Sequence, residues 1–193
     1  MKNKKTFFII ALVFVLLIGG ATVLYRQLGK NIAAEQLATQ STNQSDESAA
    51  GETEQKIKAP DFTVYDADGN EVHLADYIGK PIVLNFWASW CGPCQSEMPD
   101  FHEKYLELGD DVHFLMINMT DGARETMESA SAFIAKNGYA FPVFYDTKSD
   151  AASIYGAYSL PTTFFIDADG YAIAQATGAI DAETLQRGLD MIK

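Results

Sequence analysis

Cys91 and Cys94, in Trp90-Cys91-Gly92-Pro93-Cys94, are the only two cysteines among 193 residues. Cysteines at that spacing can supply half a metal site, staple a loop, or cycle between dithiol and disulfide. A structural zinc site takes four ligands, and only His73, His102 and His113 are available to join them. His113 opens an apolar run, and the other two read as surface residues near a turn and on a helix, so no metal is expected. A disulfide stabilises more as the loop it closes grows longer, and this one closes a ring of four residues. Redox cycling is the chemistry the pair suits, with Cys91 as the exposed nucleophile and Cys94 as the resolving thiol one turn on.

That chemistry needs an anion-stabilising position, and the flanking residues offer one. Ile82-Val83-Leu84-Asn85-Phe86-Trp87 reads as a buried strand, and Gln95-Ser96-Glu97-Met98 as the opening of a helix. A strand-to-helix junction presents unpaired N–H groups and the positive end of the helix dipole, which favour the reactive thiolate. The helix carries Met98, Phe101, Tyr105 and Leu108 on one apolar face, and Pro99 inside it is expected to kink it.

The remaining elements of the domain alternate. A hairpin is expected around Asp66-Ala67-Asp68-Gly69-Asn70, between Asp61–Tyr65 and Glu71–Leu74. A buried strand follows at Val112–Asn118, a helix over Arg124–Asn137, a short strand at Phe141–Tyr145 and a short helix at Asp150–Tyr155. Thr162–Ile166 and Tyr171–Ala176 form a second hairpin around Asp167-Ala168-Asp169-Gly170, and Asp181–Ile192 closes the chain as a helix. The order predicts an α/β fold, a mixed central sheet with helices on both faces and an added N-terminal β-hairpin. The two Asp-Ala-Asp-Gly copies lack the glycine position and closing glutamate of a calcium loop, and read as turns.

Three regions differ in composition. In 1–30, Lys2, Lys4 and Lys5 precede an unbroken apolar run from Phe7 to Tyr25, followed by Arg26 and Lys30. As a helix the run would span roughly 28 Å, near the ~30 Å hydrocarbon core. It reads as a signal anchor with its basic end in the cytoplasm; a cleaved signal peptide ending near Gly19-Gly20-Ala21 is the alternative. Residues 31–56 are polar, without a large apolar side chain from Thr39 onward, and read as a flexible tether. Residues 57–193 form the domain. Five of the 14 basic residues precede Asn31 and every acid follows it, leaving nine against 26, a formal −17 for the rest. That charge argues against nucleic acid and against adhesion to anionic lipid.

The run Val83 to Cys94 followed by Glu97-Met98-Pro99 resembles the thioredoxin superfamily, and more closely the membrane-anchored, extracytoplasmic TlpA/ResA-like thiol–disulfide oxidoreductases. Ala59-Pro60-Asp61-Phe62, Gly79-Lys80-Pro81, Phe141-Pro142-Val143, Tyr155-Gly156 and Leu160-Pro161-Thr162-Thr163 extend the likeness over most of 57–193. The resemblance implies a thioredoxin fold with no cofactor beyond the Cys91–Cys94 disulfide. It matches Pro161 to the family's cis-proline, beside which Leu160 backbone pairs with substrate, and places Trp90, Gly92 and Pro93 at the substrate surface. It matches Glu97 to an acid that takes or relays the Cys94 proton, or raises thiol pKa values by repulsion; otherwise Glu97 is a solvated helix residue. Asn85 stands where thioredoxin has a buried aspartate.

The implied activity is reduction of protein disulfides outside the cytoplasm, with electrons from a CcdA/DsbD-like membrane donor. The acceptor would be apocytochrome c or a surface methionine sulfoxide reductase, giving a place in cytochrome c biogenesis or antioxidant repair. A disulfide-forming oxidase and a thiol peroxidase on the same fold are the alternatives, although the peroxidase's usual Pro-X-X-X-Thr/Ser-X-X-Cys pattern is absent.

Overall fold

β5 (Ile82–Trp87) lies at the centre of the sheet, and all six of its residues are buried. Alternate side chains leave opposite faces of a strand, and the two hydrophobic clusters divide accordingly. Val83 and Trp87 pack with Met98 and Phe101 of α1 (Gly92–Leu108) and with Leu185 and Leu189 of α4 (Ala182–Ile192). Ile82, Leu84 and Phe86 pack on the other side with Ala151 and Ala152 of α3 (Asp150–Tyr155) and with Phe62 and Val64. Each of these Val, Leu, Ile, Phe and Met side chains contributes about 1.5–3 kcal/mol on burial. Two-sided burial explains why β5 reads as an unbroken apolar run; its one polar residue, Asn85, shares the face that meets α1.

The computed structural model describes residues 37–39 and 56–193. The expected anchor at 1–30, and the tether apart from 37–39 and Lys56, lie outside the described residues. The sheet order is β1 (Leu37–Thr39), β9 (Tyr171–Thr177), β8 (Thr162–Ile166), β5, β6 (His113–Asn118), β7 (Val143–Tyr145), β3 (Thr63–Tyr65) and β4 (Glu71–His73); β2 (Ile57–Lys58) also pairs with β9. β5 runs parallel to β6 and antiparallel to β8, and β6 runs parallel to β7. The sheet is mixed, as expected, with the β3–β4 hairpin at one edge.

Four local features refine the sequence reading. Leu37–Thr39, inside the stretch read as tether, pairs antiparallel with β9 because Leu37 packs against the first cluster. The helix expected from Arg124, α2 (Met127–Asn137), starts only at Met127: Thr126 caps it, accepting from the Ser129 N–H, and Asp121 holds the preceding residues in a loop. β7 begins after Pro142, which has no N–H for the ladder. Pro99 sits within α1, which continues to Leu108. Both Asp-Ala-Asp-Gly segments are turns, in which Asp66 and Asp167 accept backbone N–H groups two and four residues on. α4 comes so close to β8 that a Cβ on Gly188 would lie 2.2 Å from the Phe165 ring.

Candidate active site

Cys91 is the N-cap of α1. Its N–H donates to the Ala88 carbonyl and its own carbonyl accepts from Gln95, so the cysteine is fixed where β5 gives way to the helix. Its sulfur accepts the Cys94 N–H at 3.2 Å. The free N–H groups of the first turn and the helix dipole favour negative charge on that sulfur. Pro93, in the first turn, leaves no donor unsatisfied there. A disulfide joins Cys91 to Cys94; Cys94 is fully buried, and Cys91 retains 5% exposure.

Cys91 opens into a groove of about 540 Å³ lined by Trp90, Gly92, Pro93 and Leu160, together with Met119, Asp121, Arg124, Ala157 and Tyr158. The Leu160–Pro161 bond is cis. The Pro161 carbonyl accepts from Gly178, whereas Leu160 backbone makes no hydrogen bond among the described residues. Trp90, Cys91, Gly92, Pro93 and Leu160 therefore share one surface, with Pro161 beside it. Cys94 and Glu97 lie below, in the interior.

Glu97 is 2% exposed, not a solvated helix residue. One turn after Cys94, it meets Asn85 from β5: Asn85 Nδ2 donates to Oε1 at 2.9 Å, and Ile180 N–H donates to Oε2 at 3.0 Å. Asn85 Nδ2 also reaches Thr163 Oγ1 at 3.0 Å, tying the network to β8. Burial penalises the charged carboxylate and pushes its pKa up to about 7; the hydrogen bonds from Ile180 and Asn85 pull the other way. A carboxyl with that value exchanges protons near neutral pH.

Glu125 was not expected at the site. It is fully buried and accepts three donors: Ser89 N–H at 2.9 Å, Ser89 Oγ–H at 2.7 Å and Asn118 Nδ2–H at 2.7 Å. The Ser89 carbonyl accepts from Gln95 Nε2. Every polar group of the residue two before Cys91 is thus engaged. Next to Glu125, the Arg124 guanidinium stacks on Trp90, with Cζ 3.4 Å from the ring centroid. The available signal in the sequence was Asp121-Gly122 followed by Thr126-Met127-Glu128-Ser129, a turn and then a cap, which takes Glu125 out of the helix.

Residues 56–174 match the AhpC/TSA family. The chain belongs to the AhpC/TSA family. Curated relatives of this AhpC/TSA chain include the thiol-disulfide oxidoreductase ResA of Geobacillus kaustophilus (strain HTA426), 38% identical over 136 residues that cover 70% of this chain and 76% of the relative. ResA of Bacillus subtilis (strain 168) is 31% identical over 136 residues, 70% of this chain and 74% of its own. Among solved structures, a putative thiol:disulfide interchange protein DsbE from Chlorobium tepidum superposes with a TM-score of 0.63 at 30% identity, over 72% of this chain and 97% of that one. StoA from Bacillus subtilis gives 0.58 at 26% identity, over 70% and 99%. The AhpC/TSA chain has the thioredoxin fold and, with its Cys91–Cys94 pair, is a thiol–disulfide oxidoreductase.

Proposed function

We propose that this oxidoreductase reduces disulfides of proteins outside the cytoplasm. The observation that carries the reading is the asymmetry of the pair, with Cys91 at the helix N-cap on the groove and Cys94 sealed beneath it. In the reduced form the Cys91 thiolate attacks a substrate disulfide, forming a mixed disulfide and releasing one substrate thiolate, which takes up a proton. Cys94 loses its proton and attacks Cys91 sulfur, the second substrate sulfur leaves as a thiolate that takes up a proton, and Cys91–Cys94 is oxidised. Glu97, one turn from Cys94 and poised near pH 7, accepts that proton. The Leu160 backbone beside Pro161 pairs with the substrate main chain, and Trp90, Gly92 and Pro93 form the opposing surface.

The proposed setting is a single-pass membrane protein, with 1–30 as cytoplasmic basic end and anchor, 31–56 as linker and 57–193 outside. Among the described residues no helix is long and apolar enough to cross a membrane, so the anchor rests on Phe7–Tyr25. Electrons would arrive from a CcdA/DsbD-like membrane donor, and apocytochrome c or a surface methionine sulfoxide reductase would receive them. The electron carrier is the cysteine pair itself. Matching the AhpC/TSA family favours thiol peroxidase activity as the second reading; peroxide consumption by the reduced chain distinguishes it.

The decisive experiment is Cys94→Ser in the native membrane, which should trap a mixed disulfide through Cys91 and thereby identify the partner. Cys91→Ser should trap none, and the reverse pattern would refute the nucleophile assignment. Equilibration with glutathione should return a potential well below glutathione's; one well above it would favour the disulfide-forming oxidase. Glu97→Gln should flatten the dependence of the exchange rate on pH around 7. An unchanged profile would exclude Glu97 from proton transfer.

A further inference from the structure

The cysteine groove has an edge that the exchange chemistry leaves unused. Trp90 is 41% exposed and Tyr158 82% exposed, and the Arg124 guanidinium lies on the Trp90 indole. Stacking occupies a face of the guanidinium plane and leaves its N–H edges directed outward. Among the described residues no ion pair or side-chain hydrogen bond occupies those edges. The backbone beneath is anchored twice. Asp121 Oδ1 accepts the N–H groups of Ala123, Arg124 and Glu125 at 2.8–2.9 Å, and Glu125 is buried against Ser89 and Asn118. Among the described residues Arg124 and Asp121 are the charged ones that line the groove; Asp121 Oδ1 is committed to its own loop, and the Asp121 charge acts on Arg124 without forming an ion pair with it. A cation held ready at this place stands out on a chain whose net charge is −12.

We propose that the Arg124–Trp90 edge is a specificity subsite for an acidic side chain flanking the disulfide-bonded cysteine of a protein substrate. Resting on the reductase reading above, it names the class of sequence that reductase prefers. The substrate segment runs past Leu160 with its cysteine at Cys91, and its Asp or Glu carboxylate meets the N–H edge of Arg124, a geometry suited to paired hydrogen bonds. The reaction is unchanged: two electrons and two protons pass from the Cys91/Cys94 dithiol to the substrate disulfide, leaving a protein disulfide and two substrate thiols.

The test uses the full chain, reduced with dithiothreitol, freed of reductant and mixed in single turnover with two disulfide peptides. These differ only in glutamate or lysine two residues from the cysteine. The glutamate peptide should react about two- to fivefold faster, the effect of a solvent-facing ion pair, and 0.5 M salt should compress the ratio. Arg124→Gln should bring the ratio to one, and Arg124→Glu should invert it; because each ratio is taken within one variant, any general loss of reactivity cancels. Equal rates for the two peptides with the wild-type chain, or a preference that survives both substitutions, would overturn the subsite and leave the reductase reading intact. Failure of the wild-type chain to reduce either peptide would overturn the reductase reading, and the subsite with it.

Discussion

Two buried carboxyls bracket the cysteine pair, and they are built differently. Glu97 comes from the same helix as Cys94 and has two donors, the Asn85 amide and the Ile180 N–H. Glu125 comes from the loop before α2 and has three, two of them from Ser89. Desolvation outweighs the donors at Glu97 and raises its pKa to about 7, which suits a group that takes and returns a proton. Glu125 instead spends its oxygens holding the turn that carries Trp90 and Cys91. Nearly equal burial thus goes with different surroundings: Glu97 meets one side-chain amide and one backbone N–H, whereas Glu125 ties two donors of Ser89 and the Asn118 amide to one loop.

Substitutions can break this contrast. The largest effect is expected for Glu125→Ala, which strands two Ser89 donors and the Asn118 amide; chemical denaturation should show a loss of about 3–5 kcal/mol. Next is Glu97→Gln, read as stability against pH. The native carboxyl at about 7 holds a proton that the unfolded chain, at 4.5, has already released. Its contribution is therefore fully present below pH 4.5 and is lost as pH rises through about 7, a change on the order of 3 kcal/mol. Relative to the wild-type chain, Glu97→Gln should gain that amount between pH 4 and pH 8; parallel stability curves would refute the assignment. Ser89→Ala removes one hydroxyl donor from Glu125 and should cost about 1 kcal/mol in the same denaturation assay. The smallest change is expected for Asn85→Ala. It removes a donor that lowers the Glu97 pKa, so the midpoint of the stability–pH curve should move upward by about one pH unit or less.

The two carboxyls also differ in how far sequence alone could reach them. Glu97 stands three residues after Cys94, and helical periodicity puts such positions on neighbouring parts of one face, so its association with the thiol was legible. Its burial was not, since the residues that cover it, Asn85 and Ile180, lie 12 and 83 positions away. Glu125 lies 36 residues from Ser89, and read as part of a helix it had no reason to face the cysteines. Pro161 was placed by its motif, while its isomer is a fact of the fold.

Local sequence determined the spacing of the cysteine pair, the strand-to-helix junction that carries Cys91 and the alternation of strands and helices. Each depends on residues within a turn or a strand's length of one another. Tertiary structure alone decided the rest: which carboxyl loses water, which loop braces Ser89, and that Arg124 lies on Trp90 beside the groove. Those properties arise when β5, β6 and β8 align in one sheet and α1 closes over it. Desolvation and hydrogen-bond donation then act between residues the chain holds far apart.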